Sequence, residues 1–140
     1  MNKQIDLQIH NKIPEIERVC ESIAEFCREH SISDKIIFSL HLALDEILTN
    51  IISYGYCDKN DHVIDIRYSL QNDYLTLEIE DDSNPYDPAN APTPDVNACL
   101  EDRKIGGLGI YLIKSMMDEI KYSTKNGKNK LILTKKCQFS

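Results

Sequence analysis

Residues 103–119 read Arg-Lys-Ile-Gly-Gly-Leu-Gly-Ile-Tyr-Leu-Ile-Lys-Ser-Met-Met-Asp-Glu, a glycine cluster that runs directly into an apolar, helix-like stretch. Three of the five glycines of the chain fall within four positions here, at Gly106, Gly107 and Gly109. Glycines leave backbone amides uncovered, and the first amides of a helix have no intrahelical partner and lie at the positive end of its dipole. The segment therefore predicts an anion site, with phosphate as the leading ligand, or else a simple chain reversal before a helix.

Length and composition describe one acidic domain with ordinary globular character. The chain has 140 residues, 41% hydrophobic and 28% charged, with a net charge of −7. This negative charge argues against direct nucleic-acid binding, which needs a basic face. We expect no apolar run of the roughly 20 residues that span a bilayer, and the polar N-terminus does not resemble a signal peptide. Five scattered cysteines without a Cys-x-x-Cys pair favour reduced thiols and a cytoplasmic location.

Hydrophobic periodicity predicts an α+β chain in which a mostly antiparallel sheet is covered on one face by helices. The first helix is predicted to begin at Pro14, and the second is capped by Ser33 or Asp34. The predicted strands are 4–10, 63–69, 74–80, 120–123 and 130–136, and the predicted helices are 14–28, 34–54 and 108–117. Residues 82–104 hold four of the five prolines and show little periodicity, which predicts a functional lid or a disordered loop.

The second predicted helix carries Glu46 and Asn50 four residues apart, so their side chains are neighbours on one face. Asn50 falls about 20° from Ala43, at the margin of the apolar arc, where a side chain can point into a cleft. An amide oxygen is a good ligand for a hard cation, and a carboxylate can take a proton. Both residues also fit ordinary boundary positions of a helix. Asp45 and Thr49 are predicted to face solvent.

An acidic turn, Asp81-Asp82-Ser83-Asn84-Pro85-Tyr86-Asp87-Pro88, follows the third predicted strand. A carboxylate that leaves a buried strand at the mouth of a loop can accept a hydrogen bond from a ligand amine. The same residue types are also what ordinary turns contain. The turn by itself leaves both interpretations open.

Together, these three segments resemble the motifs of the GHKL ATP-binding fold, shared by histidine-kinase catalytic domains, Hsp90, the ATPase domain of DNA gyrase and MutL. The resemblance covers roughly residues 10–137 and is closest to the small anti-sigma-factor serine/threonine kinases of bacteria. Residues 46–50 match the Glu-x-x-x-Asn box, 81–88 the first glycine box, and 106–110 the second. The resemblance implies a two-layer sandwich of an antiparallel sheet and three helices, with residues 1–140 as a single ATP-binding domain.

The resemblance also implies a role for each matched residue. Glu46 would be the general base, Asn50 would bind ATP and hold Mg²⁺, and Asp81 would accept the adenine amino group. The other implied ATP-binding residues are Ser83, Pro85, Arg103, Lys104, Gly106, Gly107, Leu108 and Gly109. Backbone amides of the second glycine box and the two cations before it would contact the phosphates, and the lid at 82–104 would order on nucleotide binding.

The implied cofactors are ATP and Mg²⁺, and the implied partners are a STAS-domain anti-anti-sigma factor and a sigma factor. A serine of the STAS partner would receive the phosphoryl group, and members of this group often form homodimers. The alternative is a non-catalytic module of the same fold, in which ATP only sets the lid and hence the choice of partner. The catalytic half of a histidine kinase fits less well, because the chain has no phospho-acceptor helical hairpin and starts at its own methionine.

Three residues depart from the family pattern. Ser83 stands where the first glycine box usually has glycine, so its backbone is expected to make that turn with a Cβ. Tyr54 replaces the histidine of a His-Ala-Tyr ending that Tyr56 completes, and Asn129 stands in for a missing threonine of the last box. None of these changes removes the proposed base or the proposed metal ligand.

Overall fold

Five strands and two full helices make up the part of the chain that the computed structural model describes, residues 3–56, 58–84 and 113–139. In chain order the elements are β1 (Gln4–His10), α1 (Glu15–Glu29), α2 (Asp34–Tyr54), β2 (Val63–Gln71), β3 (Tyr74–Asp81), β4 (Glu119–Lys125) and β5 (Lys128–Lys136). Residues 113–116 are also helical. The predicted α+β class is confirmed.

The five strands form one antiparallel sheet in the order β1-β2-β3-β5-β4. A two-residue turn, Asn126-Gly127, joins β4 to β5, and both residues have a positive φ, at 55° and 77°. This is the backbone that tight hairpins require, and it explains the Asn-Gly sequence. The β3–β5 register places the last residue of β3, Asp81, opposite Asn129 near the start of β5.

One face of the sheet is buried under the two helices. Alternate residues of the central strands point into a single apolar core together with the inner stripes of α1 and α2. The strand residues of this core include Ile64, Ile66, Tyr68, Leu75, Leu77, Ile79, Leu131 and Leu133. The opposite face is polar and carries ion pairs such as Arg67 with Asp6, at 2.6 Å. The expected two-layer arrangement is therefore present.

The five predicted strands and the first two predicted helices lie within two residues of their observed bounds. The hairpin strands are longer than predicted, because the turns at 72–73 and 126–127 use only two residues each and pairing continues up to them. Helical structure at 113–116 agrees with the third predicted helix, although Met117 lies beyond its end, and residues 108–112 are outside the described residues.

One expectation about α2 is confirmed only in position, and another is wrong. Ser33 occupies the predicted N-cap position, but its hydroxyl makes no capping hydrogen bond, and its amide donates to the Gln138 carbonyl at 2.8 Å. The expectation that no apolar run is long enough to span a bilayer is wrong. By length and composition, the 21 residues of α2 are long and apolar enough to span a membrane. Such a helix is weak evidence for a membrane span, and seven apolar side chains of α2 are buried in the core: Ile36, Ile37, Leu40, Ala43, Leu44, Ile47 and Leu48.

Candidate functional site

The predicted pair on α2 is in direct contact. Asn50 Nδ2 donates to Glu46 Oε2 at 3.1 Å, as their spacing of one helical turn predicts. Asn50 is only 7% exposed, and Glu46 is half-buried. Because the amide nitrogen is directed at the carboxylate, the amide oxygen is directed away from it. Asp45 is exposed, as predicted, whereas Thr49 is half-buried.

The end of α2 packs tightly against the turn that follows β3. Gly55 is the C-cap of α2, and its carbonyl accepts a hydrogen bond from the Asn84 amide at 2.8 Å. A Cβ added at Gly55 would lie 2.8 Å from the Ser83 Cβ and 2.5 Å from the Ile51 carbonyl oxygen. Only glycine fits without a shift, so the contact brings the helix that carries Glu46 against the 81–84 turn.

This contact explains how the chain accepts a serine in the first glycine box. Ser83 does not need a left-handed backbone, since the described non-glycine residues with positive φ are Ser31, Asn72 and Asn126. Gly55 lies between Tyr54 and Tyr56, at the alanine position of the family ending. In this contact the residue without a Cβ is Gly55, at the end of α2, and the residue with a Cβ is Ser83, in the turn.

Asp81 lies at the end of β3 and is 5% exposed. Its Oδ1 accepts hydrogen bonds from the Ser83 amide at 2.8 Å, from the Ser83 hydroxyl, and from Asn129 Nδ2 at 3.1 Å. None of these three bonds uses Oδ2. The turn thus holds a buried carboxylate in a fixed orientation at the strand end, where the sequence predicts an acceptor for a ligand amine.

Asn129, the residue in place of the family's threonine, links three parts of the site. Its Nδ2 also donates to the Ser83 carbonyl at 2.7 Å, and its Oδ1 accepts from the Tyr122 hydroxyl at 3.0 Å. Asn129 is 5% exposed, so these bonds lie within the protein. It therefore connects β4 and β5 with the turn after β3.

Sequence reasoning missed a cluster around His62 beside this turn. His62 Nε2 contacts Asp58 Oδ1 at 2.8 Å, and its Nδ1 contacts Asp82 Oδ1 at 3.2 Å. The hydrogen bond to Asp58 is the main cause that raises the pKa of His62, with a further contribution from Asp82. The same hydrogen bond lowers the pKa of Asp58. The four-residue spacing of Asp58 and His62 was a visible signal, but the link to Asp82 was not.

Tyr56 stacks on the His62 ring and has a raised pKa. The two rings stack with centroids 4.0 Å apart and planes 14° apart. Burial raises the pKa of Tyr56, and the charges of Asp81 and Asp82 raise it further. Tyr56 therefore remains a neutral phenol that closes one side of the turn.

Several predicted site residues lie outside the described residues. They are Pro85, Arg103, Lys104, Gly106, Gly107, Leu108 and Gly109, together with most of the predicted lid at 82–104. Their roles in ATP binding stay predictions. Glu46, Asn50, Asp81 and Ser83 are the predicted site residues that the structure describes.

The donor set near Asn50 fits a magnesium ion held mainly by a nucleotide. Among the described residues no group of three or more His, Cys, Asp or Glu side chains could hold a metal ion. Mg²⁺ usually takes one or two protein oxygens together with substrate phosphates and water. A single amide oxygen from Asn50 agrees with that pattern.

An antiparallel sheet under helices, a Glu–Asn pair on the central helix and a buried aspartate at a strand end define an ATPase-like α+β domain of the histidine-kinase type. The family model for the histidine kinase-like ATPase domain matches residues 10–135, and the chain belongs to this family.

Two named relatives are protein kinases. The chain is 31% identical over 102 residues to serine/threonine-protein kinase BtrW of Bordetella bronchiseptica, covering 73% of this chain and 72% of that protein. It is 26% identical over 139 residues to serine-protein kinase RsbW of Listeria monocytogenes, covering 96% and 88%. The resemblance to kinases of this fold is confirmed.

A solved structure supports the fold. It is the structure of the RsbU and RsbW domains of Rv1364c from Mycobacterium tuberculosis, with a TM-score of 0.69 and 14% identity. The match covers 97% of this chain and 33% of that chain. At this identity the likeness concerns the fold alone.

Proposed function

We propose that the chain is a cytoplasmic, ATP-dependent protein serine/threonine kinase of the anti-sigma type. It phosphorylates a serine of a STAS-domain anti-anti-sigma partner and binds a sigma factor when that partner is absent. Family membership and the names of two relatives support kinase chemistry. The observation that carries the proposal is the Glu46–Asn50 pair, joined at 3.1 Å on the helix that packs against the Asp81 turn.

In this proposal the nucleotide lies between α2 and the turn after β3. Asp81 accepts the adenine amino group, because a buried carboxylate at a strand end is a strong acceptor for an N–H donor. Asn50 binds Mg²⁺ through its amide oxygen, and the ion offsets the charge of the phosphates. The glycine box at 106–109, with Arg103 and Lys104, completes the phosphate site.

Glu46 is the proposed base. It takes the proton of the partner serine as the serine oxygen forms a bond to the γ-phosphorus and the bond to the ADP oxygen breaks. The hydrogen bond from Asn50 to Oε2 orients the carboxylate and leaves its other oxygen for the proton. Positioning of a base and neutralisation of charge are what phosphoryl transfer mainly needs from a protein.

Phosphoryl transfer from labelled ATP tests the proposal. The purified chain is incubated with Mg²⁺ and with STAS-domain proteins of the same genome. Glu46→Gln keeps the shape of the base and is expected to lower transfer by about 10²–10⁴-fold without loss of ATP binding. The matched control is Asp45→Asn, the same change at the exposed neighbouring position, which should leave transfer unchanged.

Two results would count against the kinase. Undiminished transfer by Glu46→Gln would refute the assignment of the base. ATP binding by the wild type without transfer to any STAS protein would favour the alternative, a partner-binding module that ATP gates without catalysis.

A further inference from the structure

A groove of about 580 Å³ lies between α1 and α2 on the exposed side of the helix layer. Half-buried Cys20 and buried Ala24 of α1 line it, together with His41 of α2. The two helices are in contact here, because His41 Nε2 lies 3.0 Å from the Cys20 carbonyl oxygen. None of the described residues that line this groove belongs to the proposed ATP site.

The α1 side of the groove carries a row of carboxylates. Glu17, Glu21 and Glu25 line it at intervals of about one helical turn, and all three are exposed. The ion pairs within the described part of the chain do not use these three side chains. Arg28, about one turn beyond Glu25, adds a single positive charge at the end of the row. The α1 side of the groove is therefore negatively charged.

The negative charge extends to α2 through Asp45. The pKa of the Cys20 thiol is raised to about 11, mainly by burial and then by the charges of Asp45 and Glu17. One of these carboxylates belongs to α2 and the other to α1, and both act on the same thiol in the groove. Carboxylates of both helices thus contribute to the negative potential of the groove.

Beside the groove, α2 exposes two large apolar side chains. Phe38 is 64% exposed and Leu42 is 41% exposed. They lie one helical turn apart, on the part of α2 that also carries His41. A single exposed apolar side chain is ordinary, but a pair at helical spacing beside a groove is typical of a surface that binds another helix.

We propose that this part of the protein, the α1–α2 surface, binds a basic amphipathic helix of a partner protein. The α1–α2 surface consists of Glu17, Glu21, Glu25, Phe38 and Leu42. Lysine or arginine side chains of the partner helix face the three glutamates, and its apolar side chains cover Phe38 and Leu42. A second copy of this chain fits less well, because a two-fold contact through this surface would bring two acidic rows together. The inference goes beyond the proposed kinase and does not depend on it.

Fluorescence anisotropy with three labelled peptides tests the inference. Each has about 18 residues, enough to follow the whole of α1 when helical. The first contains leucine at helical spacing and lysine elsewhere, the second replaces each lysine by glutamate, and the third has the composition of the first without helical spacing. The first peptide should bind at micromolar concentrations, and the other two at least about tenfold more weakly. Its binding should weaken as salt rises, because the carboxylates are exposed.

Two pairs of variants locate the binding. Phe38→Ala should weaken binding of the lysine peptide about tenfold, whereas Tyr74→Ala, at another exposed aromatic residue, should leave it unchanged. Glu21→Lys should weaken it about fivefold or more, and Glu119→Lys, the same change at an exposed position in β4, should have little effect.

Four results would overturn the inference. They are no binding of the lysine peptide, equal binding of the lysine and glutamate peptides, and binding that neither Phe38→Ala nor Glu21→Lys weakens. The fourth is a dimer, detected by sedimentation, that Phe38→Ala dissociates, because a second copy would then cover the α1–α2 surface. Phe38 and Glu21 are exposed, so their replacement should leave the fold intact.

Discussion

Replacing Gly55 by alanine tests the contact that holds the 81–84 turn against α2. Gly55 has φ −77° and ψ −23°, a right-handed conformation that alanine adopts without strain. Backbone entropy alone therefore predicts that Gly55→Ala stabilises the protein by about 0.4–1 kcal/mol. The added Cβ, however, would lie 2.8 Å from the Ser83 Cβ and 2.5 Å from the Ile51 carbonyl oxygen. The packing clash and the backbone entropy thus predict changes of opposite sign in the free energy of unfolding.

The packing effect should be larger. Overpacking of a tight contact costs about 1–3 kcal/mol, so after the entropic gain we expect a net loss of about 1–2 kcal/mol in the free energy of unfolding. Ser83→Gly alone should cost about 1 kcal/mol, because Asp81 loses a hydroxyl donor. In the double variant the clash with Ser83 disappears and the clash with Ile51 remains. We therefore expect a favourable coupling of about 1 kcal/mol between the two changes.

Urea unfolding followed by circular dichroism measures all three variants. With a slope of about 1–3 kcal/mol per molar urea, the single change should lower the midpoint by about 0.5–1 M. Gly127→Ala is the control: Gly127 has φ 77° and nothing within 4 Å of an added Cβ, so its cost comes from the backbone alone and should not couple to Ser83→Gly. A stabilised Gly55→Ala variant, or a strictly additive double variant, would refute the reasoning.

Two further predictions concern the proposed metal ligand, Asn50, and the His62 cluster. Asn50→Ala should weaken ATP binding by about tenfold or more in Mg²⁺ but little in EDTA, measured by calorimetry; equal losses in both would contradict a metal role. His62 has a raised pKa in the folded state, so its contacts with Asp58 and Asp82 add stability that is full below about pH 6.5 and is lost as pH rises through the folded pKa. His62→Gln should therefore flatten the decline of the urea midpoint from pH 6.5 to 8.5, and an unaltered decline would exclude this contribution.

Most of the secondary structure was predictable because it follows from local periodicity. Alternation in 63–69 and 74–80 indicated strands with one buried face, and those faces are buried. The contact between Glu46 and Asn50 was equally predictable, because helix geometry alone makes residues four apart neighbours. The N-cap position at Ser33 was predictable too, but the hydrogen bond of its amide to Gln138, a residue distant in sequence, was not.

The residues that complete the site were not predictable in the same way. Asn129 stood out only as a departure from a family pattern, and nothing near it in the chain indicates its contact with Asp81, 48 residues away. The fit of Gly55 to Ser83 and the link from His62 to Asp82 are likewise contacts between elements. Each of these contacts joins residues of different elements, and a local sequence pattern does not predict which elements lie side by side.

The sequence by itself determined which residues form strands and helices, which face of each is apolar, and which residues match the motifs of the family. Periodicity is set within one element, and a motif is read residue by residue. Only the tertiary structure decided that β5 lies between β3 and β4, and that Asn129 therefore lies beside Asp81. The physical reason is that strand order and register depend on which arrangement buries the apolar faces of all the elements at once. Contacts between residues far apart in sequence therefore follow from the complete fold.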